Sequence, residues 1–176
     1  LGEGGVVDKI LVHSRKAEEK FLEGGYGTHR REIMYNDFVL VGPPDDPAKI
    51  ATTKTAKDAL IAIAEGQAPF ASRGDDSGTH KMEIALWTTA GIDEAQRSPS
   101  WYNEAGAGMG ATLNTAAGLN AYALTDRASW LNFGNKQSLT LLFSGDPVLF
   151  NQYAFLPVSP NMHPHTKTEA AMKLET

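Results

Sequence analysis

Phe70-Ala-Ser-Arg-Gly-Asp-Asp-Ser-Gly-Thr-His80 is the most informative stretch of the chain. A short strand pattern ends at Ser72, a tight polar turn with two glycines follows, and a helical pattern runs from about Thr79 to Ala90. Strands that lead through short turns into helices are the repeating units of α/β proteins. The stretch therefore predicts one such unit.

A second unit of this kind lies further along the chain. The short strand pattern Trp101–Ala105 enters the glycine-rich turn Gly106-Ala-Gly-Met-Gly110, and a helix from about Ala111 to Ala117 follows. Strand and helix patterns alternate elsewhere as well, which predicts an α/β fold with a largely parallel sheet. The other predicted strands are 7–13, 32–41, 121–125, 139–143 and 153–158, and the other predicted helices are 14–24, 55–66, 126–133 and one that starts at Thr168.

The strongest structure breaker is Gly42-Pro-Pro-Asp-Asp-Pro47. Proline fixes φ and donates no backbone hydrogen bond, so a cluster of prolines stops both helices and sheets. We expect a hinge or a lobe boundary at this breaker. Pro160-Asn-Met-His-Pro164 predicts a further break near the end of the chain.

Composition excludes several classes of function. The 176 residues are 41% hydrophobic, enough for a sizeable core, and the net charge is −5 without a block of like charge. Nucleic acids and anionic membranes attract basic surfaces, so neither is expected as the main partner. The absence of cysteine excludes disulfides, thiolate metal sites and cysteine nucleophiles. The chain begins at Leu1 without a signal-peptide pattern, so we expect that it starts inside a longer protein.

The turn after Ser72 has the properties of an anion site. The first backbone N–H groups of a helix point at a ligand there, and the helix dipole favours negative charge. Arg73 would add a guanidinium fork, and Ser77 and Thr79 would add hydroxyl donors. A purely structural alternative stays open, in which Asp76 or Ser77 caps the helix and Arg73 pairs with an aspartate.

The second glycine-rich turn has two interpretations. Gly106, Gly108 and Ala111 formally match the G-x-G-x-x-A dinucleotide pattern, but a clear βαβ context and the acidic residue that follows it are missing. Alternatively, two strand-to-helix turns that face one cleft would surround a small anion with N–H groups.

Other candidate chemistry is weaker. His163-Pro-His165 could be a metal pair, but no carboxylate cluster stands near it, so no metal site is predicted. An enzyme that acts on phosphate esters would need a nucleophile, a base or a metal set near Arg73, and the sequence shows none. These residues therefore favour a binding protein over an enzyme, and no cofactor is expected.

Several stretches resemble the tungstate-binding proteins of bacterial and archaeal ABC transporters, which belong to the type II periplasmic solute-binding superfamily. The resemblance covers essentially the whole chain, and the run from Ser72 to Lys81 is its most specific part. The matching stretches are Leu11-Val-His-Ser-Arg-Lys-Ala-Glu-Glu-Lys-Phe21, Met34-Tyr-Asn-Asp-Phe-Val-Leu-Val-Gly-Pro43, Ser72-Arg-Gly-Asp-Asp-Ser-Gly-Thr-His-Lys81, Gly108-Met-Gly-Ala-Thr-Leu-Asn114, Leu124-Thr-Asp-Arg127, Gly145-Asp-Pro147 and Leu149-Phe-Asn151.

The resemblance implies two α/β lobes, each with helices on both faces of its sheet, and a ligand between them. On that map, residues 1–42 are part of lobe 1, residues 43–150 are a complete lobe 2, and residues 151–176 are the return crossover and a further part of lobe 1. The implied oxyanion contacts are Arg73, Ser77, Gly78 and Thr79, the turn Gly108, Met109 and Gly110, and the strand-end residues His13 and Ser14.

The function that the resemblance implies is capture of tungstate or molybdate, which the sequence does not distinguish. The full-length protein would work with a transporter permease, in the periplasm or outside the cell, associated with the membrane through the transporter. Exposed strand edges of lobe 1 would allow a homodimer. Two alternatives stay open: an intracellular oxyanion-sensing or effector module, and a phosphate-ester enzyme of the same fold class.

Overall fold

The computed structural model of the chain describes residues 6–12 and 15–167. Strands and helices alternate along them, which confirms the α/β class, and most boundaries lie within two or three residues of the predicted ones. The predicted helix that starts at Thr168 lies outside the described residues. The elements are β1 (Lys9–Val12), α1 (Arg15–Glu23), β2 (Arg31–Gly42), α2 (Ala56–Glu65), β3 (Phe70–Ser72), α3 (Gly78–Ala90), β4 (Tyr102–Glu104), α4 (Met109–Leu119), β5 (Ala123–Asp126), α5 (Arg127–Asn132), β6 (Thr140–Phe143) and β7 (Phe150–Pro157), with short 3-10 turns at Ile50–Thr52, Lys136–Ser138 and Pro147–Leu149.

The chain divides into two compact units. One consists of Leu1–Asn36 together with Asn151–Thr176, and the other is Asp37–Phe150. The sequence-based boundary at 150/151 coincides with one of these divisions, and the boundary at 42/43 lies a few residues beyond the other. The assignment of the units to two lobes stays a prediction.

In the first unit, β1 pairs with β7 in antiparallel register, with Lys9 opposite Pro157 and Val12 opposite Ala154. Phe21 of α1 is buried against Leu156 and Val158, so the helix covers part of this pair of strands. Burial of side chains of this size contributes about 1.5–3 kcal/mol each.

In the second unit, β6, β2 and β5 pair side by side in that order, and β3 and β4 form a parallel two-stranded sheet next to them. An isolated parallel bridge joins Phe70 of β3 to Tyr122, the residue before β5. β2 runs antiparallel to both β5 and β6. Four strands of this unit therefore point the same way, as the sequence predicts, and β2 is the exception. Helices α3, α4 and α5 connect the four like-directed strands, because parallel neighbours need crossover connections.

Both faces of this sheet are buried. In β2, Phe38 and Leu40 point into one apolar cluster, and Val39 and Val41 point into another. The first cluster includes residues of α2 and α3, and the second includes residues of α4 and α5. Helices on both faces are thus confirmed for this unit. Among the described residues, no helix combines the length and the apolar character needed to cross a membrane.

Candidate functional site

The two glycine-bearing turns singled out in the sequence lie side by side. Ser72, the last residue of β3, is opposite Glu104, the last residue of β4, and the Ala105 N–H donates to the Ser72 carbonyl at 2.9 Å. A Cβ placed on Gly74 would lie 2.8 Å from the Glu104 Cβ, so the turns are in contact. Both α3 and α4 therefore begin at the same edge of the sheet. Ligands of α/β proteins bind at this carboxyl edge of the strands.

Arg73 occupies the first turn and is held there by its own neighbours. Its Nε donates to the Asp75 carboxylate at 2.8 Å, and one terminal nitrogen lies 3.5 Å from the Thr79 hydroxyl. The side chains of Arg73 and Asp75 are each 22% exposed. Hydrogen bonding from Ser77, aided by Arg73, holds the pKa of Asp75 below its usual range. The aspartate thus stays ionised and fixes the guanidinium in position.

Ser77 caps α3. Its hydroxyl oxygen accepts from the His80 N–H at 3.3 Å, as the capping alternative predicts. Asp76 does not cap the helix, because it has a left-handed backbone with φ of 56° and an exposed carboxylate 3.4 Å from the Lys81 ammonium. The Ser77 side chain also hydrogen-bonds the Asp75 carboxylate, so its hydroxyl proton reaches a ligand only when the hydroxyl rotates. Gly78 is the first residue of the helix, and the Thr79 side chain is largely buried.

The second turn offers only backbone groups as hydrogen-bond donors. Gly108 is the N-cap residue of α4, and this helix start has no side-chain cap. A Cβ added to Gly108 or Gly110 would meet no atom within 4 Å, so the space before the turn is open. The Met109 side chain is buried in the core, and its backbone N–H is the group it presents at the helix start. The first turn of α4 therefore lies beside open space and has no side-chain cap, and the helix dipole adds positive potential there.

A buried carboxylate that the sequence analysis missed lies behind the first turn. Glu83 is 2% exposed and accepts hydrogen bonds from the Ser72 hydroxyl at 2.9 Å, the Trp87 indole at 3.2 Å and the Tyr102 hydroxyl at 2.6 Å. Burial raises the pKa of Glu83, and burial and the adjacent carboxylate raise the pKa of Tyr102. The available signal was a charged residue one helical turn after Thr79 on an otherwise buried face.

Two of the predicted site residues, His13 and Ser14, lie outside the described residues, so their predicted role stays a prediction. Within the ranges 6–12 and 15–167, no group of three His, Cys, Asp or Glu residues is placed to hold a metal ion. The rings of His163 and His165 have their centroids 6.0 Å apart.

The arrangement at the carboxyl edge offers many hydrogen-bond donors. Arg73 supplies a guanidinium fork, Ser77 and Thr79 supply hydroxyls, and two helix starts supply amides. Such a set suits a small, multiply charged oxyanion, because each of its oxygens accepts charge-assisted hydrogen bonds.

This fold and this edge define an α/β module of the periplasmic-binding-protein type. The chain belongs to the family described as the PBP superfamily domain, whose model matches residues 1–174.

Several named proteins of this family are similar to the chain over most of its length. The chain is 44% identical to a putative ABC transporter anion-binding protein of Haloferax volcanii, over 96% of this chain and 50% of that protein. It is 42% identical to the tungstate-binding protein TupA of Peptoclostridium acidaminophilum, over 99% of this chain and 61% of that protein. A solved structure of the tungstate-binding protein TupA from Desulfovibrio alaskensis G20 superposes with a TM-score of 0.89 at 42% identity, covering 99% of this chain and 70% of that chain. The chain thus spans about half to three fifths of these two curated relatives.

Proposed function

We propose that the chain is part of the solute-binding component of an ABC transporter and that it binds a tetrahedral oxyanion, tungstate or molybdate. The observation that carries the proposal is the contact between the two strand-to-helix turns, which brings Arg73 and two helix starts to one edge of the sheet. Relatives named for anion or tungstate binding, 42% and 44% identical, support the same ligand class.

The charge pattern of the edge suits a fully ionised anion. Tungstate and molybdate carry no proton at neutral pH, so their site needs donors and few acceptors. Asp75 is bonded to Arg73 and to the Ser77 N–H, and Asp76 is exposed beside Lys81. Neither carboxylate is therefore the acceptor that a protonated phosphate would need.

In the proposed complex, each group has a defined task. Arg73 donates its guanidinium fork, the Ser77 and Thr79 hydroxyls donate from the start of α3, and the Gly78 amide lies beside them. The amides of Gly108, Met109 and Gly110 donate from the second turn, and His13 and Ser14 are additional candidates. The oxyanion is bound and released unchanged, without a cofactor and without bond making or breaking.

The proposed setting follows from the same family. A solute-binding component works in the periplasm or outside the cell and delivers its ligand to a membrane permease. Binding proteins of this type close around the ligand by a hinge motion. We place the hinge of this chain at the breaker 42–47 and near residue 150.

Calorimetric titration of the natural protein that carries this chain tests the proposal. We expect tungstate and molybdate to bind with one-to-one stoichiometry, and Arg73→Ala to weaken binding by more than about tenfold, because a charge-assisted hydrogen bond contributes about 1.5–3 kcal/mol. Arg73→Lys keeps the charge but loses the guanidinium fork, so its tungstate affinity should lie between those of Arg73→Ala and the unmodified protein. Lys57→Ala, an exposed change on α2, is the matched charge control and should bind as the unmodified protein does. Unchanged affinity in Arg73→Ala would remove Arg73 from the site.

A further inference from the structure

Glu83 connects the structural elements that carry both turns. Its carboxylate receives the Ser72 hydroxyl from the end of β3, the Tyr102 hydroxyl from the start of β4, and the Trp87 indole from its own helix α3. Ser72 directly precedes Arg73, and β4 leads directly into the second turn. One buried side chain therefore fixes both strands relative to α3.

The same carboxylate lies close behind the proposed anion position. Thr79 and Glu83 are both buried on one face of α3, and four residues along a helix correspond to about one turn, or 6 Å. Thr79 in turn lies 3.5 Å from an Arg73 nitrogen. An ionised Glu83 thus places negative charge behind a site for a dianion, in a buried setting where charges are weakly screened.

We propose that Glu83 is the positioning residue of the oxyanion site and that dianion binding is linked to a proton on the Glu83 carboxylate. The inference rests on the proposed function, and it adds a pH dependence that an anion site made only of fixed donors would lack.

Few other titratable groups face Glu83. Tyr102 contacts it from β4, His80 lies one turn earlier on α3, and the Arg97 guanidinium stacks over the Tyr102 ring at 5.2 Å. The face of α2 that packs in this region is apolar, and so is Leu124 of β5. Of these groups, Glu83 itself is the only carboxylate.

The sign of the linkage follows from the charges. Burial already raises the pKa of Glu83 in the unliganded protein. A bound dianion raises it further, because protonation removes a repulsion between like charges. Affinity is therefore highest where Glu83 is protonated and falls as pH rises through its titration range. One linked proton changes the dissociation constant by up to about tenfold per pH unit.

Titration with inorganic tungstate at a series of pH values tests the linkage in the natural protein that carries this chain. We expect the tungstate Kd of the unmodified protein to rise with pH, by up to about tenfold per pH unit where Glu83 titrates. In Glu83→Gln, which keeps the shape but not the charge, the Kd should change by less than about twofold across the same pH series. Glu65→Gln, an exposed carboxylate change on α2, is the control and should keep the full pH slope.

Tyr102→Phe gives an independent measurement, including the case in which Glu83→Gln does not fold. Loss of the Tyr102 donor destabilises the ionised carboxylate, so the fall in affinity should move to higher pH. A Kd in the unmodified protein that is independent of pH, an unchanged slope in Glu83→Gln, or an unshifted profile in Tyr102→Phe overturns the linkage while the proposed function stands. Absence of tungstate binding by the unmodified protein at every pH overturns both.

Discussion

The two turns at the carboxyl edge both present hydrogen-bond donors, but they do so with different groups. The turn after β3 is rich in side chains: Arg73 is held by Asp75, and Ser77 caps the helix that follows. The turn after β4 has a glycine at the N-cap position and no side-chain cap. The first turn thus provides a fixed positive charge, and the second provides uncapped backbone amides.

This difference shows why acidic residues are compatible with an anion site. Asp75 lies in the same turn as Arg73, and its carboxylate accepts hydrogen bonds from the Arg73 guanidinium and the Ser77 N–H. It therefore holds the guanidinium in place. No acidic residue lies in the first turn of α4, where the amides have no charge to offset a carboxylate. The local arrangement of donors therefore determines anion binding, and the net charge of −5 does not oppose it.

The largest expected effect concerns the contact between the turns. Gly74 and Gly106 have nearly the same left-handed backbone, with φ of 61° and 60°, but only at Gly74 would an added Cβ collide, 2.8 Å from the Glu104 Cβ. Gly106→Ala should cost about 1–2 kcal/mol of unfolding free energy from backbone strain alone. Gly74→Ala should cost about 3–4 kcal/mol, because overpacking adds to the same strain. Urea denaturation of both variants measures the difference, and equal losses would mean that the turns are not in contact.

The second prediction tests the uncapped start of α4. Gly108→Asp should preserve folding, since aspartate is a good N-cap and its Cβ meets no atom within 4 Å. It should weaken tungstate binding by about a hundredfold or more, because a carboxylate then caps the amides and repels the dianion. Gly108→Asn has the same shape without the charge and should lose much less affinity. Equal calorimetric losses in the two variants would argue against an electrostatic cause.

Much of this edge could be predicted from local sequence patterns. The strand ending at Ser72, the helix reaching Ala90 and the glycine-rich turn before α4 all depend on neighbouring residues, and all were predicted. The choice between Asp76 and Ser77 as the cap was open, because both residue types cap helices. The left-handed backbone of Asp76 settles it in favour of Ser77.

Other features depend on residues far apart in the sequence. The pairing of β3 with β4 joins segments about thirty residues apart, and no local pattern specifies such a register. The antiparallel direction of β2 likewise depends on pairing between segments that are far apart in the sequence. Glu83 was missed because a charged residue within a helix usually faces solvent, and its partners Ser72 and Tyr102 come from two other strands.

The third prediction concerns the cap that distinguishes the first turn from the second. Ser77→Ala should lower the unfolding free energy by about 1 kcal/mol, because the hydroxyl that accepts from the His80 N–H is lost. Ser77→Gly should cost only a few tenths of a kcal/mol by the same measurement, since glycine is itself a tolerated N-cap. A larger loss in Ser77→Gly than in Ser77→Ala would show that the cap is not the source of the effect.

The prediction with the smallest expected effect concerns a third strand-to-helix junction, where β5 leads into α5. Arg127 gives two hydrogen bonds to the Asp37 carboxylate, at 2.7 and 2.6 Å, whereas Arg73 gives its carboxylate one. Hydrogen bonding from Arg127 holds the pKa of Asp37 below its usual range. The pair therefore stabilises the fold above the unfolded-state pKa of about 3.9, and this contribution is lost as pH falls through the lower folded-state value.

Asp37→Asn should cost up to about 1 kcal/mol at pH 7, because Arg127 is more than a third exposed. The stability difference from the unmodified protein should shrink as pH falls through the lowered folded-state pKa of Asp37, and tungstate affinity at pH 7 should not change. A loss of affinity in Asp37→Asn would instead place the third junction in the anion site and make Arg127 the counterpart of Arg73.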